Sequence, residues 1–144
     1  MIKFVTTIAD DQPQIDEWMK ADPYHFKNVD AAARGWWLTG AEGSMLAGGI
    51  NDESGPVLYY RFDKEGDLAR MHCQFPPPEQ VEKRRIAQAI SDALVVVGVK
   101  FQQDGLKGII YESTSESLIR FMNKLGFKPC LESINDFVLL FEEN

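Results

Sequence analysis

The sequence predicts an α/β (α+β) fold with a mixed, mostly antiparallel central sheet and helices on both of its faces. Three observations favour this class: a central region of short strands separated by turn residues, a long amphipathic segment after it, and a terminal strand–helix–strand-pair order. The chain has 144 residues, a length that favours one domain over 1–144. A domain of that size buries roughly two thirds of its unfolded surface, so we expect it to need no disulfide or metal for stability.

Composition and charge limit the kinds of partner that we expect. Apolar residues make up 44% of the chain and charged residues 26%, an ordinary mixture for a soluble globular protein. The net charge of −7 argues against nucleic acid as a partner, because non-specific binding of that kind depends on neutralising phosphates. The longest apolar run, 93–99, is too short to span a bilayer, so we expect no membrane partner.

Cysteine usage and the first residues predict a cytoplasmic protein. Cys73 and Cys130 lie far apart and form no C-x-x-C motif, which favours a reduced state. The N-terminal segment lacks the apolar stretch and the small-residue cleavage site of a signal peptide.

The N-terminal third predicts a strand followed by a short helix. Residues 2–8 are β-branched and aromatic, as in a strand. Residues 9–22 predict a helix whose apolar residues share one face: Ile15, Trp18 and Met19. Residues 23–35 are ambiguous between a loop and a helical turn.

The central region predicts an antiparallel meander, because runs of strand formers alternate with glycine-rich and aspartate-rich turns. The four expected strands are 36–39, 45–50, 57–62 and 68–75. In the last run the more apolar face consists of alternate residues: Ala69, Met71, Cys73 and Phe75.

A long helix is expected after the three prolines at 76–78, which cannot donate to a sheet. Its apolar stripe contains Ile86, Ile90, Leu94, Val97 and Phe101. The start of this helix stays open: Pro78 and Glu79 make a good first turn, yet an extended turn up to about Lys83 is also compatible with the sequence.

The C-terminal part predicts a strand over 106–112, a helix within 113–127, and two closing strands over 127–133 and 136–143. Ser113 and Glu116 are spaced as a capping box, and Gly126 is a helix terminator. The helix has one apolar stripe: Leu118, Phe121, Met122 and Leu125.

This order of elements resembles that of the GCN5-related N-acetyltransferase (GNAT) superfamily over nearly the whole chain. The most specific match is Lys124-Leu125-Gly126-Phe127, which closes the helix that follows the strand over 106–112. The meander has one predicted strand more than the family minimum. The resemblance implies an acyltransferase domain that uses acetyl-CoA as cosubstrate and lets an amine attack the thioester directly. Two histidines and two cysteines at these spacings do not make a zinc site, so we expect no metal.

The resemblance also implies the residues that hold acetyl-CoA. The backbone of Cys73, Gln74 and Phe75 falls where the family pairs with the pantetheine arm. The pyrophosphate turn has two possible registers, and both lack the glycines of the family. In one register Lys83 and Arg85 occupy the glycine positions. In the other, which we favour because alanine is the smallest replacement, the motif is Arg84-x-x-Ala87-x-Ala89. The implied contacts over this segment, with Ser115 in place of the family's asparagine, are Lys83, Arg84, Arg85, Ile86, Ala87, Gln88, Ala89 and Ser115.

Catalytic residues are less clearly matched. The family's thiol-protonating tyrosine falls on Met122, which cannot donate a proton, and Tyr111 is the candidate replacement. His72 is the candidate base, because its unperturbed pKa lies near neutrality, and water is the alternative base. His25 lies where the family shapes its acceptor site, but a loop histidine alone predicts no role.

Two functions stay open at this point. One is an N-acetyltransferase that acts on a small-molecule or protein amine. The other is a catalytically inactive GNAT-fold module that serves binding or structure, which the absent glycines and tyrosine favour. An enzyme predicts an open groove beside Cys73–Phe75, whereas a structural module predicts a filled one. The sequence carries no signal for the oligomeric state, so a homodimer also stays open.

Overall fold

A computed structural model of the protein describes residues 1–25, 27 and 35–142. A seven-stranded sheet in the order β1-β2-β3-β4-β5-β7-β6 lies at its centre. Its strands are β1 (Lys3–Val5), β2 (Leu46–Asp52), β3 (Gly55–Glu65), β4 (Leu68–Gln74), β5 (Gly108–Glu112), β6 (Lys128–Pro129) and β7 (Asp136–Leu140). Neighbours pair antiparallel except β4 and β5, which are parallel. The predicted fold class is therefore confirmed.

Three α-helices lie in the described part of the chain: α1 (Gln12–Ala21), α2 (Lys83–Gln103) and α3 (Glu116–Lys124). A 3-10 turn over Ala9–Asp11 leads into α1. None of the helices in these ranges is long and apolar enough to cross a membrane.

The helices cover both faces of the sheet, because side chains alternate along a strand. On one face α1 packs its predicted apolar residues against the ring of Tyr59. On the other face α2 packs against Tyr60 and Phe62, and Phe101 meets the edge of the Phe62 ring at 4.9 Å between centroids. Two adjacent tyrosines thus belong to two different cores.

Residues 36–39 do not form the expected strand. Trp36 and Trp37 lie in a turn that is closed by a hydrogen bond from Leu38 N to Gly35 O. Gly35 and Gly40 have φ of 88° and 80°, a backbone conformation that L side chains rarely adopt, so the chain bends at both ends of this segment. The meander therefore has three strands, β2 to β4. The ambiguous segment 23–35 lies mostly outside the described residues.

The helix starts also differ in detail from the expectations. The α2 helix begins at Lys83 after an N-cap at Glu82, which selects the later of its two possible starts. The α3 helix is capped by Ser115, whose Oγ accepts a hydrogen bond from Leu118 N at 3.4 Å. The capping box at Ser113 is wrong, because the hydroxyl of Ser113 instead accepts from Ser115 N at 3.0 Å.

Gly108 and Gly98 offer a matched pair of glycine-to-alanine substitutions. A Cβ at Gly108 lies 2.4 Å from the Leu139 carbonyl oxygen, so Gly108→Ala pushes β5 from β7 and destabilises the protein by about 1–3 kcal/mol. A Cβ at Gly98 of α2 meets only the Phe141 ring at 3.7 Å, and Gly98→Ala stabilises by up to about 1 kcal/mol through helix propensity. Urea unfolding at pH 7 measures both, and equal stability of Gly108→Ala and the unmodified protein contradicts the packing described.

Candidate active site

The pairing between β4 and β5 ends abruptly. The two strands pair only at Leu68–Gly108, Ala69–Ile109 and Arg70–Ile110. Beyond these pairs β4 continues along β3 as far as Gln74, and β5 continues along β7 as far as Glu112. The edge of β4 over residues 71–74 therefore has no neighbour in the sheet, and a wedge opens between the two halves of the sheet.

A cavity of about 1000 Å³ occupies this wedge. It reaches from the end of α1 on one face to the first turns of α2 and α3 on the other. Of the residues singled out by the sequence, it is lined by His72, Cys73, Phe75, Lys83, Ile86, Ala87, Tyr111 and Ser115. The groove beside β4 is therefore open, as the enzyme hypothesis predicts and the structural-module hypothesis does not.

The first turn of α2 leaves two backbone donors free. The helix begins at Lys83, and among the described residues neither Lys83 N nor Arg84 N donates to a backbone carbonyl. These N–H groups lie at the positive end of a helix dipole that is 21 residues long. The Lys83 side chain lines the cavity and forms no ion pair within the described part of the chain. An anion at this point meets two N–H groups and one ammonium group.

The structure contradicts the favoured register of the phosphate turn as far as backbone contacts are concerned. The N–H groups of residues 87–89 lie inside α2, where they donate to carbonyls four residues earlier, so they are not available to a ligand. Ala89 is buried in the core, and Gln88 points to Asp92 at 2.9 Å. The segment that presents free N–H groups starts at Lys83, not at Ala87.

Two of the three basic side chains at the start of α2 are already engaged. Arg85 holds the Asp52 carboxylate with two hydrogen bonds of 2.7 Å, from Nε and Nη2. This pair fastens α2 to the turn between β2 and β3. Arg84 is 87% exposed and lies 3.6 Å from Glu82, outside the cavity wall. Lys83 is thus the basic residue of this triplet that reaches the cavity.

Tyr111 lines the cavity and carries a buried, unpaired hydroxyl. The residue is 3% exposed, and its ring packs between Phe127 and Phe137. Its hydroxyl is buried and has no hydrogen-bond partner within the described residues. Burial raises the pKa of Tyr111 to about 12, so the hydroxyl keeps its proton at neutral pH. A buried donor without an acceptor is uncommon, and Tyr111 is one of the residues that line the cavity.

His72 and Cys73 point to opposite sides of β4. The His72 ring lies at the edge of the Trp36 ring, 4.9 Å between centroids, and its Nε2 is 3.4 Å from Asp63 Oδ2. Burial lowers the pKa of His72, so its imidazole is neutral at pH 7. Burial raises the pKa of the Cys73 thiol to about 12, which removes its nucleophilic form. The roles predicted for both residues stay predictions.

The end of β4 carries a network that the sequence did not reveal. Gln74 is fully buried, and its amide contacts residues 49 to 56 positions earlier: Trp18, Asp22 and His25. The alternation along β4 placed Gln74 on the face of α1, but no local signal identifies partners so distant in the chain. Asp22 and His25 both line the cavity.

No family model and no curated protein matches the sequence. Solved structures do match. A GNAT-family acetyltransferase from Brucella melitensis in complex with acetyl-CoA has 14% identity and a TM-score of 0.61, covering 100% of this chain and 90% of its own.

Two further solved structures superpose over similar lengths. An aminoglycoside acetyltransferase in complex with coenzyme A and kanamycin has 14% identity and a TM-score of 0.69, covering 97% of this chain and 95% of its own. A spermidine N-acetyltransferase chimera from Vibrio cholerae and hSSAT has 13% identity and a TM-score of 0.69, covering 96% and 95%.

The chain has the GNAT fold. The sequence resemblance to this fold is confirmed, and with it the element order on which the resemblance depended. At identities of 13–14% the comparison establishes the architecture, while the chemistry has to be argued from the side chains of this chain.

Within this GNAT fold, Arg70 holds the closed end of the wedge together. Its guanidinium binds Glu65 at 2.8 and 2.9 Å and Asp136 at 3.0 and 3.3 Å. It therefore joins β4 to β7 across β5, at the last residue where β4 and β5 still pair. Hydrogen bonds from Arg70 are the main cause that lowers the pKa of Asp136.

We expect Arg70→Met to destabilise the protein by about 1–3 kcal/mol at pH 7, because it leaves the nearly buried Asp136 carboxylate without its cation. Since the pKa of Asp136 is lowered in the folded state, its stabilising effect is present above the unfolded pKa of about 3.9 and is lost as pH falls through the folded pKa. Urea unfolding at pH 7 and at lower pH measures this loss, which Arg70→Met should abolish.

Glu65→Gln is the control for Arg70→Met. The Glu65 side chain is 51% exposed, so removing its charge should cost less than about 1 kcal/mol. Equal costs for the two substitutions contradict the assignment of Arg70 as the connection to β7.

Proposed function

We propose that the protein is an acyl-CoA-dependent N-acetyltransferase that transfers an acetyl group to an amine by direct attack on the thioester. The observation that carries this proposal is the open wedge between β4 and β5. One cavity is lined by an unpaired strand edge, by the N-terminus of a helix and by Tyr111, whose buried hydroxyl has no partner among the described residues. An inactive module has no need for an opening of this kind.

The first turn of α2 fits the pyrophosphate of the cosubstrate. A helix N-terminus binds phosphate through free N–H groups and its dipole, and both are present at Lys83 and Arg84. The family's glycines serve close approach of the backbone to the phosphates. Here the Lys83 ammonium supplies charge from a side chain that lines the cavity.

The unpaired edge of β4 fits an extended chain with amide groups. Residues 71–74 have β3 on one side and the cavity on the other. An amide-bearing arm such as pantetheine adds to such an edge as a further strand does. When bound, acetyl-CoA supplies the activated acetyl group as a thioester. The protein then has to position the two reactants and move protons.

Tyr111 fits the role of the acid that protonates the leaving thiolate. Its hydroxyl is protonated at neutral pH and has no competing acceptor among the described residues, and Tyr111 and Met122 both line the cavity. Met122 falls where the family carries its tyrosine, so the donor would have moved from α3 to β5.

The other end of the cavity fits an amine acceptor. It lies on the face of α1 and is lined by Asp22, Tyr24, His25, Trp36, Trp37 and His72. Structural neighbours include a complex with kanamycin and a spermidine N-acetyltransferase, which support a small-molecule amine, and a ribosomal-protein-S18-alanine N-acetyltransferase, which supports a protein amine. The cytoplasmic location and a homodimer stay predictions.

The role of Lys83 is tested by acetyl-CoA binding. We expect Lys83→Gln to weaken binding about tenfold, or about 1.4 kcal/mol, because one charge-assisted contact to phosphate is lost. Lys100→Gln is the matched control, since Lys100 lies on the same helix about 25 Å away and pairs with Asp104. Calorimetry measures both. Equal affinity of Lys83→Gln and the unmodified protein contradicts the phosphate site.

The role of Tyr111 is tested by Tyr111→Phe. We expect kcat to fall about 100-fold or more because the proton donor is lost. The unfolding free energy should not fall, because the hydroxyl makes no hydrogen bond. Initial rates with spermidine, kanamycin and a peptide with a free amino terminus as acceptors measure kcat.

Tyr59→Phe is the control for Tyr111→Phe and predicts the opposite pattern. The Tyr59 hydroxyl accepts a hydrogen bond from Gln14 Nε2 at 2.7 Å, outside the cavity, so its loss lowers stability by about 1 kcal/mol and leaves kcat unchanged. An unchanged kcat in Tyr111→Phe overturns Tyr111 as the acid.

A further inference from the structure

The orientation of the buried Gln74 amide is fixed by its surroundings. Three oxygen atoms surround its Nε2: Phe75 O at 2.9 Å, Asp22 Oδ2 at 3.0 Å and Trp18 O at 3.4 Å. Carbonyl oxygens only accept hydrogen bonds, and the pKa of Asp22 is lowered, so its carboxylate is ionised and also only accepts. The NH2 group must therefore face all three, because a flipped amide would place an oxygen against them.

This orientation determines where His25 carries its proton. Gln74 Oε1 lies 2.7 Å from His25 Nδ1, and Asp22 Oδ2 lies 3.3 Å from the same nitrogen. Both oxygens only accept, so Nδ1 must donate. In the neutral imidazole the lone pair is then on Nε2.

His25 lines the cavity, and its Nε2 has no partner among the described residues. The side chain is 33% exposed. The rings of Trp37 and Trp36 connect His25 to His72: successive centroids are 6.5, 4.8 and 4.9 Å apart. Both histidines therefore belong to the acceptor end of the cavity.

We infer that His25 is the general base that takes the proton of the acceptor amine, and that Asp22 and Gln74 are its positioning residues. The inference deepens the proposed function and rests on it. His25 Nε2 takes a proton from the amine, the nitrogen bonds to the acetyl carbon, and the C–S bond breaks. Tyr111 gives a proton to the sulfur and regains one from solvent. The products are the amide and the free thiol, and His25 releases its proton to solvent.

Other histidine bases are oriented in the same way: an acceptor at Nδ1 holds the ring and leaves Nε2 free. His72 lacks this arrangement, since its Nε2 already lies 3.4 Å from Asp63 Oδ2. The hydrogen bond to Asp22 raises the pKa of His25, whereas burial lowers that of His72. Among the described residues, Asp22 at the end of α1 raises the pKa of His25, and the charge of protonated His25 in turn lowers the pKa of His72 on β4. The more basic histidine near neutral pH is His25.

The tautomer can be measured directly, because the chain has only two histidines. Long-range proton–nitrogen correlation spectra of the unmodified protein give the protonated nitrogen and the pKa of each ring. His25→Gln and His72→Gln assign the signals. We expect neutral His25 to carry its proton on Nδ1 and to titrate above His72. We also expect Asp22→Asn to lower the pKa of His25. A proton on Nε2 of neutral His25 overturns the inference, whatever the rates of the variants.

The base role is tested by the pH dependence of kcat/KM. The acceptor is whichever of spermidine, kanamycin and a peptide with a free amino terminus is acetylated fastest. His25 must be neutral to accept a proton, so kcat/KM falls on the acidic side of its pKa. We expect His25→Gln to lack this acidic limb and to lower kcat/KM about 100-fold or more. Its affinity for acetyl-CoA should be retained. Asp22→Asn should move the limb to lower pH. Protonation of the amine itself is common to all variants and cancels in the comparison.

His72→Gln separates the two histidines. Its rate can fall, because His72 packs against Trp36, but the acidic limb should keep its position. Loss of the limb in His72→Gln together with its retention in His25→Gln overturns the inference in favour of His72. If acetyl-CoA does not bind the unmodified protein, the proposed function falls and the base assignment with it. If acetyl-CoA binds and His25→Gln keeps both rate and limb, only the base assignment falls.

Discussion

The separation of β4 from β5 after Arg70 is the constraint on which the rest of the site depends. Each strand keeps its other neighbour: β4 follows β3, and β5 follows β7. A side chain also holds the end of β4, because the buried Gln74 amide forms hydrogen bonds with the last turn of α1 and with Asp22. Closing the wedge would break these contacts. The opening is therefore built into the packing of both halves of the sheet.

The wedge also places the proton-transfer groups on opposite faces. Tyr111 belongs to the core beneath α2, whereas His25 and His72 lie with the tryptophans on the face of α1. In the proposed reaction, an amine that enters from the α1 face and a thiolate that leaves on the α2 face would each meet one titratable group suited to its proton.

Much of the fold was readable from the sequence because it depends on local periodicity. The apolar stripes of α1 and α2, with Phe101 at the end of α2, and the alternation in β4 repeat within one element. The predictions that failed lie where neighbouring residues favour different local structures. Trp36 and Trp37 look like strand residues, yet the glycines around them bend the chain. Ser115, not Ser113, caps α3, although both are serines near its start.

The site was less predictable than the fold because its contacts are distant in sequence. His25 and Gln74 are 49 residues apart, and neither carries a local signal for the other. Tyr111 was singled out from its place at a strand end, but its unpaired hydroxyl is visible only in the packed structure. The start of α2 at Lys83 likewise depends on how the three prolines before it are packed, two of which are buried.

Hydrogen exchange of the β4 backbone tests the central claim most directly, because the claim concerns one strand edge. Amides in segment 71–75 that do not bond to β3 should exchange fast in the free protein. Saturating acetyl-CoA should slow their exchange, together with that of Lys83 and Arg84 at the start of α2. The account predicts protection confined to these segments and the cavity wall. Unchanged exchange along β4 at millimolar acetyl-CoA would show that the wedge does not hold the cosubstrate.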